Sequence, residues 1–75
     1  MNTIHLDLKG LNCPLPVLRA NKKMKDLMPG DVLELEVTDP AAPKDFEIYS
    51  ATTGHELVSN NEDGGVFFIA LKKRS

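Results

Sequence analysis

Cys13 is the side chain best placed for covalent chemistry. It is the only thiol in the chain and stands in the run Gly10, Leu11, Asn12, Cys13, Pro14, Leu15, Pro16, where an extended segment gives way to a helix. A thiol at a helix start meets backbone amides without intrahelical partners, and these favour the thiolate, the nucleophilic form. Pro14 is expected at the first helical position and Pro16 two residues on. Neither ring costs a hydrogen bond there, and the pair sets the start of the helix. The prolines also remove two donors, leaving the amides of Leu15 and Val17 and the macrodipole to meet a thiolate. A helix terminus is worth about 0.3–1 kcal/mol to an exposed anion, and one pKa unit is about 1.4 kcal/mol. The expected thiol pKa is therefore about one unit below the ordinary ~8.5, which suits a group that both attacks and leaves.

Other chemistries lack partners. Hydrolysis by a cysteine and histidine pair needs a base positioned by a third group. His5 falls on the wet side of a strand, and His55 follows a helix at its far end. One cysteine and two scattered histidines show no metal-ligand spacing, so neither a metal nor another cofactor is expected. A dithiol cycle within the chain is excluded for want of a second cysteine. What remains is a thiol that holds something for a partner: a sulfenic acid, a mixed disulfide or an extra sulfur as a persulfide.

The elements that must position Cys13 follow from periodicity. Ile4, Leu6 and Leu8 alternate with His5, Asp7 and Lys9, the pattern of a strand with one buried face. From Pro14 the spacing becomes helical, with Val17, Ala20, Met24, Leu27 and Met28 on one face, and the helix is expected to reach about Met28, where Pro29 and Gly30 stop it. Leu33, Leu35 and Val37 alternate with Glu34, Glu36 and Thr38 in a second half-buried strand. Asp39 is expected to cap a second helix spanning roughly Pro43 to Thr53, with Ala42, Phe46, Tyr49 and Thr53 near one stripe and Gly54 as its left-handed cap. A terminal hairpin follows, turning within Asn60 to Gly65. Its last run, Val66 to Leu71, is apolar on both alternations, as for a strand flanked on both sides. The order β-α-β-α-β-β predicts an α/β (α+β) two-layer sandwich: a four-stranded mixed sheet with two helices on one face.

Composition agrees with a single domain over 1–75. A chain of 75 residues buries only about 60% of its unfolded surface, enough for two layers. The formal charge of -2 argues against stable, unaided nucleic-acid binding, which is usually the work of basic domains. No stretch approaches a membrane span and no signal pattern opens the chain, so no membrane partner and a cytoplasmic address are expected. Arg19, Lys22, Lys23 and Lys25 cluster on the first helix, and the first three are candidates for docking an acidic partner surface. Lys72, Lys73 and Arg74 read as a solubilising tail.

The segment from Leu8 to Pro16 resembles the Cys-Pro-x-Pro signature of the TusA (SirA-like) sulfur-carrier family. Met28 to Asp31, Asp39 with Pro40, and Thr53 to Leu57 resemble that family at corresponding spacings, so the likeness covers nearly the whole chain. The resemblance implies that Cys13 is the catalytic position, with Gly10, Pro14 and Pro16 presenting it. It implies a sulfurtransferase-type carrier that takes sulfane sulfur from a cysteine desulfurase or another sulfurtransferase as a persulfide and relays it to an acceptor protein. Family members serving tRNA thiolation tend to carry charged residues where this chain has Asn12 and Leu15; other branches are linked to sulfur oxidation, molybdenum-cofactor supply or selenium handling. Two alternatives stand beside this reading: a single-cysteine redox sensor, and a regulatory protein-interaction module in which Cys13 merely caps a helix.

Overall fold

A computed structural model describes residues 2–75. The elements run β1 (Thr3–Asp7), α1 (Leu15–Met24), β2 (Val32–Val37), α2 (Ala42–Thr53), β3 (Glu56–Asp63) and β4 (Val66–Lys72), the order expected from periodicity. They form one mixed sheet in the order β1-β2-β4-β3. β1 pairs with β2 in parallel, with Ile4 opposite Leu33 and Leu6 opposite Leu35. β4 returns between β2 and β3, antiparallel to both. The second β-α-β step therefore brings in a strand that is no neighbour of β2, and the hairpin supplies the strand between them. This placement explains the continuous apolar run of β4, because Ile69, Ala70 and Leu71 are all buried between neighbours. Phe68, on the same alternation as Ala70 and opposite to Ile69 and Leu71, opposes Glu36 and Asn61 and stays exposed on the uncovered face.

Both helices cover the other face. Leu33, Leu35 and Val37 of β2 join Ile69 and Leu71 of β4 in a core completed by Ala20, Met24, Ala42, Phe46 and Tyr49. Phe46 is fully buried and meets the Tyr49 ring edge-on, with centroids 6.2 Å apart, an arrangement favoured by the ring quadrupoles. The Tyr49 hydroxyl donates to Asn21 Oδ1 at 3.0 Å, linking α2 to α1. Glu34 and Glu36 lie on the open face, where His5 Nε2 approaches Glu34 at 2.7 Å and Lys9 reaches Glu36 at 3.1 Å. Such exposed pairs contribute at most about 1 kcal/mol each.

Three expectations require correction. Helix α1 stops at Met24 rather than near Met28, and a tight turn follows, in which the Asp26 amide donates to Lys23 and the Leu27 amide to Met24. Met28, out of helical register, is consequently exposed instead of joining the core, while Pro16 is buried in the helix stripe. Lys73 is no free tail. Its ammonium donates to the carbonyls of Met24 at 2.9 Å and Leu27 at 2.6 Å, adding a second bond to the Met24 carbonyl, which already accepts the Leu27 amide, and placing a cation at the C-terminal end of α1. Finally, the hairpin turn narrows to Gly64 and Gly65, both with positive φ. β3 continues to Asp63 with a bulge between Leu57 and Ser59. Gly54, by contrast, caps α2 in the left-handed conformation as expected, its amide donating to the Ser50 carbonyl.

Candidate functional site

Cys13 lies on the loop between β1 and α1, two residues before the first helical turn, and is exposed. The loop leaves β1 through Leu8, whose amide still donates to the Glu36 carbonyl at 2.8 Å. Gly10 then turns the chain at φ +84°, a conformation that costs L-residues about 1–2 kcal/mol. Its amide donates to Thr38 Oγ1 at 2.9 Å, which ties the loop to the end of β2. Space is not what demands glycine here, since a Cβ would meet no atom within 4 Å. Gly10→Ala is therefore expected to cost about 1 kcal/mol through backbone strain alone, read as a lowered midpoint in thermal unfolding.

Asp39 holds the cysteine itself. Its carboxylate is buried, 8% exposed, and accepts the Cys13 amide on Oδ2 at 2.7 Å and the Ala41 amide on Oδ1 at 3.1 Å. Asp39 is not the cap expected of it, since Ala41 holds the cap position of α2 and no side chain caps that helix; by accepting the Ala41 amide it ties the approach to α2 to the cysteine loop. Among the described residues no buried side-chain nitrogen or oxygen lacks a partner, so this polar link carries no unpaired group. Pro14 occupies the cap position of α1 and Pro16 its first turn. The Cys13–Pro14 peptide is cis.

The thiol's surroundings overturn the expected acidification. Cys13 stands two residues before the helix rather than one, because Pro14 takes the cap position instead of the first helical position expected of it, and the Cys13 amide is taken by Asp39. Of the two helix amides expected near a thiolate, that of Leu15 donates to the Asn12 carbonyl at 2.9 Å. Asp45, in the first turn of α2, lines the same groove as the thiol. Hydrogen bonding of the neutral thiol to Asp45, then desolvation and the negative charges of Asp45 and Asp39, push the Cys13 thiol up from its ordinary value. Charge repulsion from two carboxylates and hydrogen bonding to the neutral form both disfavour the thiolate.

An open groove of about 350 Å³ lies between the two helices. Cys13, Pro14 and Val17 form one wall and Asp45, Ile48 and Tyr49 the other. Ile48 is 55% exposed, and Leu18 on α1 56%, so apolar surface flanks the thiol without covering it. Arg19, Lys22 and Lys23 come together elsewhere. With Leu6 and Asp26 they line a separate groove of about 570 Å³, because Arg19 lies two positions, or about 200°, around α1 from Val17. His5 is paired on the open sheet face. His55 accepts the Arg74 amide on Nδ1 at 3.2 Å and lines a different cleft, with Asn21 and Met24. Burial, with the charges of Arg74 and Lys73, lowers its pKa. Neither Asp45 nor the inter-helix groove was foreseen from the residues. An acidic residue in a first helical turn reads as favourable helix-end electrostatics, and nothing local says that it faces a thiol.

No group of three His, Cys, Asp or Glu side chains that could hold a metal ion occurs among the described residues, and no described helix is long and apolar enough to cross a membrane. The chain is 47% identical over 68 residues to the sulfur carrier protein TusA of Allochromatium vinosum, covering 91% of this chain and 90% of that one. It is 45% identical over 74 residues to a putative sulfur carrier protein of Neisseria meningitidis serogroup A, covering 99% of this chain and all of its relative. The fold superimposes on the crystal structure of a SirA-like protein from Desulfitobacterium hafniense with a TM-score of 0.80 and 26% identity, covering both chains entirely. The model of the family described as sulfurtransferase TusA matches residues 4–73. With its thiol presented on the braced β1–α1 loop, the chain belongs to the TusA sulfurtransferase family.

Proposed function

We propose that this protein carries sulfane sulfur as a persulfide on Cys13, taking it from a cysteine desulfurase or another sulfurtransferase and passing it to an acceptor protein. The observation that carries this reading is the exposed lone thiol, fixed by its backbone amide to buried Asp39 while its side chain faces an open groove. In loading, Cys13 Sγ attacks the outer sulfur of a donor persulfide. A new S–S bond forms on Cys13, the donor's S–S bond breaks, and the donor cysteine leaves as a thiolate that takes up a proton, so the Cys13 proton is replaced overall by SH. The donor cysteine is reduced as Cys13 is oxidised, and no outside oxidant is needed. Delivery repeats the exchange with an acceptor thiolate attacking the sulfur on Cys13.

Mass spectrometry after incubation with a cysteine desulfurase and cysteine tests the reading. The peptide containing Cys13 should gain the mass of one sulfur atom, and a reductant should remove it. A competent donor that leaves Cys13 unmodified would falsify the proposal.

Arg19, Lys22 and Lys23 supply the docking charge on the outer flank of α1. Reversing two of them, in Arg19→Glu with Lys23→Glu, should slow loading from a protein donor about tenfold at low salt, within the range of electrostatic steering, and leave reaction with a small persulfide unchanged. Equal slowing of both donors would remove these residues from docking.

A further inference from the structure

The thiol groove holds one carboxylate, Asp45, with a second, Asp39, buried behind the cysteine loop, and among the described residues no cationic side chain lines it. Asp45 faces Cys13 from α2, and Asp39 stands behind the loop at the end of β2, with both its oxygens already accepting backbone amides. Tyr49 is the remaining titratable group in the walls, and its hydroxyl is engaged by Asn21 on α1. Among the described residues that line the groove there is no lysine, arginine or histidine. Among the described residues Asp45 makes no ion pair, whereas Asp7 and Glu36 on the open sheet face share Lys9. Beside this charge the groove is apolar, with Val17 and the exposed Ile48 opposed across it.

We propose that Asp45 is a positioning residue that restrains the Cys13 thiol in the free protein, and that the groove is built for a protein segment laying an aliphatic side chain between Val17 and Ile48 and setting a lysine or arginine against Asp45. Such a cation takes the hydrogen bond that Asp45 offers the thiol and cancels the charge that opposes the thiolate. The thiol then ionises where a partner is seated, and an unpartnered carrier is spared indiscriminate oxidation. This inference rests on Cys13 being the sulfur-handling thiol and identifies the chemistry of the surface that meets it.

Small disulfides of matched size supply the test: cationic cystamine, neutral hydroxyethyl disulfide and anionic dithiodipropionate. In each case the Cys13 thiolate attacks one reagent sulfur, a mixed disulfide forms and a small thiolate leaves. The wild-type protein should react fastest with cystamine and slowest with dithiodipropionate. In Asp45→Asn the ratio of these two rates should fall at least about threefold, while alkylation by neutral iodoacetamide at neutral pH rises about threefold and its pH profile shifts to lower pH. Asp45→Glu, which keeps the charge, should retain the charge preference. A purely structural role for Asp45 would alter none of these ratios. Wild-type rates independent of reagent charge overturn the proposal even if Asp45→Asn fails to fold, as does a preference that survives in folded Asp45→Asn. A Cys13 that discriminates charge yet never takes up sulfur would instead sink the carrier reading alone. One that loads sulfur with no charge preference would sink only this inference.

Discussion

Cys13→Ser is expected to abolish sulfur uptake completely while leaving the fold intact. The hydroxyl that replaces the thiol cannot hold sulfane sulfur, and no second cysteine exists to take its place. The side chain is exposed and outside the core cluster, so its replacement removes no buried apolar contact. The anchor to Asp39 runs through the backbone amide of residue 13, which serine retains. Thermal unfolding should therefore shift by no more than a surface substitution does, within about 0.5 kcal/mol, while mass spectrometry finds no sulfur adduct under conditions that load the wild type. Transfer that persisted in the variant would mean that Cys13 is not the carrier. A collapse of stability would mean that the thiol has a packing role its exposure does not suggest.

Asp39→Ala is expected to have the largest effect on stability. The carboxylate accepts two amides from separate segments, at 2.7 Å from Cys13 and 3.1 Å from Ala41. Hydrogen bonds to a charged group are each worth about 1.5–3 kcal/mol, and a buried donor left unpaired costs about 1–3 kcal/mol. Water can replace the carboxylate at Ala41, which is exposed, so the sum is not fully additive and a loss of about 3 kcal/mol is expected. For a domain of this size that lowers the unfolding midpoint by about 15 °C. Asp39→Asn should fall between, because its one carbonyl oxygen can satisfy one of the two amides while its NH2 repels the other. The same variants should load sulfur more slowly, since the amide that fixes the cysteine's approach is released. Calorimetry with loading kinetics on one preparation checks both effects. If stability falls but loading holds, Asp39 braces the fold and not the thiol.

Much of the architecture was legible because its signals are local. Alternation along β1 and β2, the helical spacing from Pro14 to Met24 and the left-handed cap at Gly54 are each set within a few residues. The end of α1 was misjudged because Met28 continues the apolar spacing past the last helical turn, and only the tertiary fold shows Lys73 closing the helix four residues earlier. Lys73 has no local signal for the same reason: its partners are more than forty positions away in the chain.

At the site, sequence alone determined which atom matters and how it is presented. A lone cysteine between a strand and a proline-braced helix leaves one thiol for chemistry, and the motif around it points to sulfur transfer. Only tertiary structure decided that thiol's electrostatics. Helix-start amides act over a few residues and can be read in order along the chain, and they promised a lowered pKa. Asp39 and Asp45 reach Cys13 from the far end of β2 and from another helix, with charges that act through space. These two carboxylates, one brought in by the connection that follows β2 and the other by the packing of α2 beside α1, push the thiol in the opposite direction.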